Sequence, residues 1–438
     1  MYINEAPLAA ALDGMQHRQH SLSLFLEQMC SRIDSFDPHV HAFLPEGNRL
    51  ERLRADAAAL RGRTPGRKHY PPLYGALVGV KDVFRVDGFA TRAGSQLPPD
   101  LFVGPEAACV QRLRKAGALI AGKTVTTEFA YFEPGLTRNP HNVGHTPGGS
   151  SSGSAAAVAA GMCNLALGTQ TIGSVIRPAA YCGIVGYKPS LHRIPTEGLI
   201  YFSRTIDHVG LFTQDLPGMA IAAAALCENW RPAAEEKGLP VLGVPDGPYL
   251  AQAEPDALAI FEEFLLMLQV SGVAVKRVAA LADIEQLNTL HRRMIFGEFA
   301  REHAEWFAQY GERYRPRTAE AIRTGQTVSD TELDDLRALC LERRAALAAQ
   351  MDAEGIDLWV TPAATGPAPE GIQSTGDPNM SLPWTHAGMP ALTLPAGRAA
   401  NGLPLGMQLV ARYGADEQLM AWAALVLERM PEPVDVDI

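Results

Sequence analysis

The sequence is short of several things, and each shortage excludes a class of protein. Only six of its 438 residues are cysteine (Cys30, Cys109, Cys163, Cys182, Cys227 and Cys340), scattered with no CxxC pair. That spacing excludes a metal knuckle and argues against a disulfide framework, leaving reduced, buried thiols as the expectation. No run of about 18 uncharged apolar residues occurs, so no transmembrane helix is expected. The N-terminal stretch lacks a basic segment followed by an apolar one, which reads as no signal peptide and a soluble, cytoplasmic protein. Basic charge is also in deficit: 38 Lys and Arg face 48 Asp and Glu, a net charge of −10 with no basic run. Such a chain is a poor partner for nucleic acid or an anionic membrane.

What is present is ordinary globular material. Apolar residues make up 47% of the chain, enough for a large core, and 40 glycines and 32 prolines fall without a period, which excludes collagen-like and low-complexity readings. Leu22, Leu24, Phe25, Met29 and Ile33 recur at helical spacing, and residues 20–62 read as helices. A polar loop is expected at 62–72, then a β-prone stretch carrying Lys81. A helix is expected from Pro105 to Ala116, followed by a short buried strand, ALIAGKT. The alternation argues for an α/β architecture. The alanine-rich run after residue 154 reads as a helix closed by Gly161. Residues 230–350 are rich in Glu, Arg, Ala and Leu and read as successive helices. Strand-like pieces return at LWVTPAA, ALTLPAG and GMQLVAR, with a closing helix near 416–429. A single domain of residues 1–438 is expected: a helical segment (1–70), a core (71–215), a helical segment (230–350) and a return to the sheet (355–438).

Two motif matches conflict with their surroundings. Gly117, Gly122, Lys123 and Thr124 complete the pattern GxxxxGK[ST] of a phosphate-binding loop. That loop must follow a strand and open a helix, whereas here the four middle residues are apolar and resemble the strand itself. A P-loop nucleotide-binding protein is the rival reading from a different class. Gly149-Ser-Ser-Ser-Gly153 matches the GxSxG nucleophile elbow, but a loop stands where the motif needs a strand.

A third reading joins three separate segments. Lys81 lies in GVKD, Ser150 in PGGSSSGS, and Ser174 in GTQTIGSVIRPA. These segments, with GALVGVKDVF, AGKTVTTEF and GLPLGMQLVA, resemble the amidase signature family, and their wording is similar to its malonamidase-type branch. The resemblance implies a mixed, twisted β-sheet covered by helices on both faces. It implies a hydrolase of linear amides working through an acyl-enzyme. By motif position, Ser174 is the nucleophile, Ser150 the bridging serine and Lys81 the base. The oxyanion hole is expected from the backbone N–H groups of Thr171, Ile172, Gly173 and Ser174. Arg177, Gly149 and Ser151 are the expected substrate contacts, and no metal or cofactor is implied.

Physical chemistry constrains these roles. A lysine base must be neutral, although a free lysine titrates near 10.4; burial is the means of lowering it. The neighbouring Asp82 would oppose this, but strand alternation turns it to the other face. Ser151 and Ser152 also suit a turn or a helix cap. The commonest family pattern reads TDTGGSIR where this chain reads TQTIGSVIR, so Gln170 replaces Asp and Ile172 replaces Gly. Without that Asp, Arg177 needs another anion or several carbonyls. A substrate carboxylate and a structural role are both open for it. His291, Arg292, Arg293, Phe296 and Glu298 are expected to form a pocket wall. The substrate expected is a small carboxamide, with a carboxylate-bearing one in view. A homodimer is the assembly in view, and the rival within the family is the amidase subunit of a transamidating, ammonia-delivering complex.

Overall fold

The computed structural model describes residues 1–64, 70–233 and 238–430. Most of the loop expected at 62–72, and a few residues of the 230–350 segment, lie outside the described residues.

Ten strands form one sheet: β1 (Leu77–Lys81), β2 (Leu119–Thr124), β3 (Leu165–Gln170), β4 (Val185–Lys188), β5 (His208–Thr213), β6 (Leu242–Asp246), β7 (Val275–Ala279), β8 (Leu358–Pro362), β9 (Ala391–Arg398) and β10 (Pro404–Val410). Their order is β2-β1-β3-β5-β4-β9-β10-β8-β6-β7. Pairing is parallel at the two ends, through β2, β1 and β3 and through β8, β6 and β7, and antiparallel between them. The sheet is therefore mixed, and strands far apart in sequence meet in it.

Period-two alternation splits the buried side chains between two cores. Val78 and Val80 of β1 and Leu165 and Leu167 of β3 belong to the larger cluster, whereas Leu77 and Ala166 belong to the smaller one. The helix Leu216–Leu226 packs in the first, through Leu216, Met219 and Ala223. The helix Ser152–Ala159 packs in the second. Helices thus cover both faces, and β1 and β3 are buried throughout, as parallel strands require. Ser152–Ala159 is itself buried along its whole length, which only small residues permit. A Cβ on Gly153 would lie 2.2 Å from the Ala42 carbonyl oxygen. This close approach sets the serine-rich loop against the ends of β1 and β3.

The structure corrects the sequence reading in three places. The helix expected from Pro105 runs over Ala108–Lys115. The segment 230–350 is not wholly helical: β6 and β7 lie within it and extend the sheet. β7 is an edge strand whose Lys276 and Arg277 are exposed, and such charges both guard an edge and mimic a polar helix face. β5, which pairs antiparallel with β3 on one side and β4 on the other, has no counterpart in the sequence reading. All six cysteines are buried and free. No helix among the described residues is long and apolar enough to cross a membrane.

Candidate active site

Lys81 is the last residue of β1, which runs between β2 and β3. Its side chain is fully buried. Its Nζ donates to Ser150 Oγ at 2.7 Å and to Thr169 Oγ1 at 2.8 Å. Burial lowers its pKa to about 7, against a smaller upward pull from the Asp207 carboxylate. Asp82 does turn away: its Oδ1 lies 2.8 Å from Lys123 Nζ, and its Oδ2 accepts from the Arg92 amide.

Lys123 therefore has a structural partner set, completed by the Phe84 carbonyl and Thr91 Oγ1. Residues 119–124 are β2, the helix precedes them, and no loop of free amides is there to cradle phosphate. The P-loop reading is thereby corrected: four apolar residues between the glycines favour a buried strand over a loop. The Lys123–Asp82 pair is almost completely buried. Lys123→Met should destabilise the fold by about 3–5 kcal/mol, since it strands a buried carboxylate. Urea denaturation checks this, and an unchanged midpoint would refute it.

Ser150 follows a cis Gly149–Ser150 peptide bond. Ser151 Oγ donates to the Thr169 carbonyl at 3.2 Å and accepts from the Thr169 amide at 3.3 Å. Ser152 Oγ donates to the Gly148 carbonyl. These two hydroxyls pin the loop to β3 and to its own backbone. The expectation that Ser151 contacts substrate is corrected accordingly: its side chain is fully buried and spent on β3. Gly149 offers its carbonyl to Arg177 Nη2 at 2.6 Å, and a Cβ there would meet Thr375 at 2.7 Å. No strand precedes this loop, so GxSxG is not a nucleophile elbow here.

Residues 171–174 connect β3 to the helix Ile176–Tyr181. Gln170 explains how the chain manages without the family's Asp. Its Oε1 accepts from the Val175 and Ile176 amides at 2.7 and 3.0 Å, and its Nε2 donates to Thr385 Oγ1 at 2.9 Å. The amide caps the incoming helix with one end and ties it to a distant helix with the other. Thr171 Oγ1 donates to Asp207 Oδ1 at 2.5 Å, while Asp207 Oδ2 accepts from the Phe202 and Ser203 amides. Burial raises Asp207 to about 6 against these bonds. The amides of Ile172, Gly173 and Ser174 have no acceptor among the described residues. Ile172 keeps a negative φ, so its β-branched side chain causes no backbone strain. A Cβ on Gly173 would lie 3.1 Å from Pro378, which favours glycine there.

Ser150, Thr171, Ile172, Ser174 and Arg177 line one narrow cavity, closed by Tyr131, Phe202 and Ile295. Ser174 is 9% exposed, against 3% for Ser150. Arg177 donates to the carbonyls of Gly149 and Gly376 and to Thr375 Oγ1, but its Nε is buried without a partner. Burial lowers its pKa to about 10, so it remains charged at neutral pH. No carboxylate pairs with it among the described residues. Carbonyl partners thus hold it, and part of its donor capacity stays free at the cavity wall.

Of the expected pocket wall, the helix Ile284–Glu302 is present, but Ile295 is its residue in the cavity. Phe296 lines an adjoining outer cavity with Tyr131 and Phe132. Arg292 donates to Asn379 and Arg293 pairs with Glu332, both away from the cavity. Glu298 accepts from Ser203 Oγ and the Thr205 amide. His291 reaches the Thr171 carbonyl at 3.1 Å. Thr169, Asp207 and Thr385 have no place in the sequence reading, because each meets the site through a long-range contact that no local pattern announces.

A family model described as Amidase matches residues 25–420. The amidase-type chain of the glutamyl-tRNA(Gln) amidotransferase of Moorella thermoacetica (strain ATCC 39073 / JCM 9320) is 31% identical over 456 residues, covering 92% of this chain and 91% of the relative. A crystal structure of an amidase is 29% identical with a TM-score of 0.85, covering 97% of this chain and all of the other. A chain of the vestigial protein complex that reveals the evolutionary origins of an s-triazine catabolic enzyme is 27% identical, with a TM-score of 0.84 over 97% of this chain and 99% of that one. The resemblance holds for the family and does not single out its malonamidase-type branch. By the match over most of its length, its mixed sheet and these relatives, the chain belongs to the amidase family of enzymes that cleave amide C–N bonds.

Proposed function

We propose that this enzyme hydrolyses a small carboxamide through an acyl-enzyme on Ser174, with Lys81 and Ser150 as its proton relay. One observation carries the proposal: a fully buried lysine amine bonds the Ser150 hydroxyl, and Ser150 shares a narrow cavity with Ser174. Neutral Lys81 accepts the Ser150 proton while Ser150 accepts the proton of Ser174. Ser174 Oγ then adds to the amide carbonyl, and the oxyanion takes hydrogen bonds from the free amides of residues 172–174. Ser150 returns its proton to the leaving nitrogen, which departs as ammonia or a small amine. Water adds to the acyl-enzyme by the same relay and releases the acid.

Arg177 supports a substrate that carries a carboxylate, as in the malonamidase-type branch. Its free Nε–H and net charge at the cavity wall suit an anion, and an apolar wall faces it. Ammonia release from malonamate, succinamate, propionamide, butyramide, benzamide and glutamine tests this. Malonamate or succinamate should lead, and Arg177→Gln should raise KM for these acids far more than for propionamide. Equal losses on charged and neutral amides would make Arg177 structural.

A second reading has one specific support, the amidotransferase chains among the relatives. In it the same hydrolytic centre releases ammonia for transfer within a complex, with a partner chain in place of a homodimer. Turnover of glutamine alone, and only with a co-purified partner, would favour it over the free-standing amidase.

A further inference from the structure

Two side chains from distant helices grip the carbonyls of the turn whose amides face the cavity. Thr171 carbonyl oxygen accepts from His291 Nε2 at 3.1 Å, and Ile172 carbonyl oxygen accepts from Thr385 Oγ1 at 2.6 Å. His291 stands on the helix Ile284–Glu302 and Thr385 on Leu382–His386. The peptides between 171 and 173 are trans, and a trans peptide is planar with its C=O and N–H pointing in opposite directions. Holding the Thr171 carbonyl therefore aims the Ile172 N–H the other way. Holding the Ile172 carbonyl does the same for the Gly173 N–H. Those two amides have no acceptor among the described residues.

His291 is itself oriented. Its Nδ1 lies 3.0 Å from His386 Nδ1, and both rings are fully buried. Donation from His291 Nε2 to a carbonyl leaves Nδ1 as the acceptor, so His386 must carry its proton on Nδ1. This tautomer assignment follows from the bonds, and it requires both rings to be neutral. Burial supplies that condition, holding His291 far below the usual imidazole value and His386 near 4. Neither imidazole, nor Thr385, lines the catalytic cavity.

We propose that His291 and Thr385 are positioning residues that aim the Ile172 and Gly173 amides at the oxyanion of the transition state. The inference rests on the hydrolase reading above. Such donors act by preorganisation: they cost no reorientation when charge develops, so their direction sets kcat and leaves ground-state binding nearly untouched.

The test compares Thr385→Val, Thr385→Ser, His291→Phe and His291→Gln in the full-length enzyme, on the best amide of the panel. Thr385→Val is isosteric and removes only the hydroxyl, so it is the variant chosen to keep the fold. Thr385→Val and His291→Phe should each lower kcat roughly tenfold to a hundredfold with little change in KM. Affinity for a phenylboronate, which forms a tetrahedral anionic adduct on a serine, should fall in parallel. Thr385→Ser and His291→Gln restore a donor and should recover most of the loss. Unchanged kcat and boronate affinity in Thr385→Val would overturn the proposal, as would equal losses in Thr385→Val and Thr385→Ser. Ser174→Ala separates the two levels: its continued turnover would sink the hydrolase reading, whereas a dead Ser174→Ala beside a fully active Thr385→Val sinks only the positioning role.

Discussion

Replacing Ser174 by alanine should abolish turnover, a loss on the order of 10⁴–10⁶-fold in kcat, while the fold survives. The size follows from the role proposed for it: no other hydroxyl in the cavity combines exposure with three unpaired amides beside it. Ser150 shares the cavity but is tied to Lys81, and Ser151 and Ser152 are spent on backbone carbonyls. The fold should survive because the Ser174 hydroxyl has no hydrogen-bond partner among the described residues. Its removal strands nothing, unlike the loss of a buried polar partner. Circular dichroism and thermal melting would establish the intact fold. Activity retained in Ser174→Ala would refute the acyl-enzyme, and a collapsed melting temperature would refute the claim that this side chain is free.

The second large effect concerns Lys81. A lysine titrating near 10.4 leaves roughly one amine in a few thousand neutral at pH 7. At about 7, the value burial imposes on Lys81, half are neutral. The sign follows directly. Below pH 7 the amine is protonated and cannot act as a base, so kcat/KM should fall about tenfold per unit as the pH drops, and should level off above it. Lys81→Met keeps most of the volume but removes the base, and should cost roughly 10²–10⁴-fold in acylation. Its residual rate should climb with hydroxide concentration instead of levelling off near 7. Stability carries the same signature. The native state binds fewer protons than the unfolded chain between pH 7 and about 10.4, so the wild type gains stability as pH rises through that window. Lys81→Met should lack that slope. A wild-type kcat/KM that is flat from pH 6 to 8 would contradict a neutral, buried base.

Much of this architecture is legible in residue patterns, and the parts that are not share a physical cause. β2, the alanine-rich helix and the closing helix are local: an apolar run, a set of small residues and a helical period each announce their element. Lys81, Ser150 and Ser174 stand out through motif wording, and the fold carries all three to one cavity by pairing β1 with β3. β6 and β7 are hidden because a short strand with Gly243 and Pro245, and an edge strand with Lys276 and Arg277, carry the composition of helix surface and loop. Ser151 reads as a substrate contact because a serine beside a catalytic-looking serine carries no mark of which way its hydroxyl points. Thr385 and Asp207 give no signal at all, and His291 gives none of its tie to the turn. The three reach residues 171 and 172 across 120 positions for His291, 213 for Thr385 and 36 for Asp207, and only the packed sheet brings them there. Gln170 shows the converse. Its substitution for Asp is visible, but its use as a cap for Val175 and Ile176 needs the geometry of the turn.

The central claim, an acyl-enzyme on Ser174, is tested most directly by covalent labelling with a fluorophosphonate followed by peptide mass mapping. The account predicts a single adduct, on the peptide carrying Ser174, that Ser174→Ala abolishes and Lys81→Met slows. An adduct on Ser150 in the wild type, or undiminished labelling of Ser174→Ala, would contradict it.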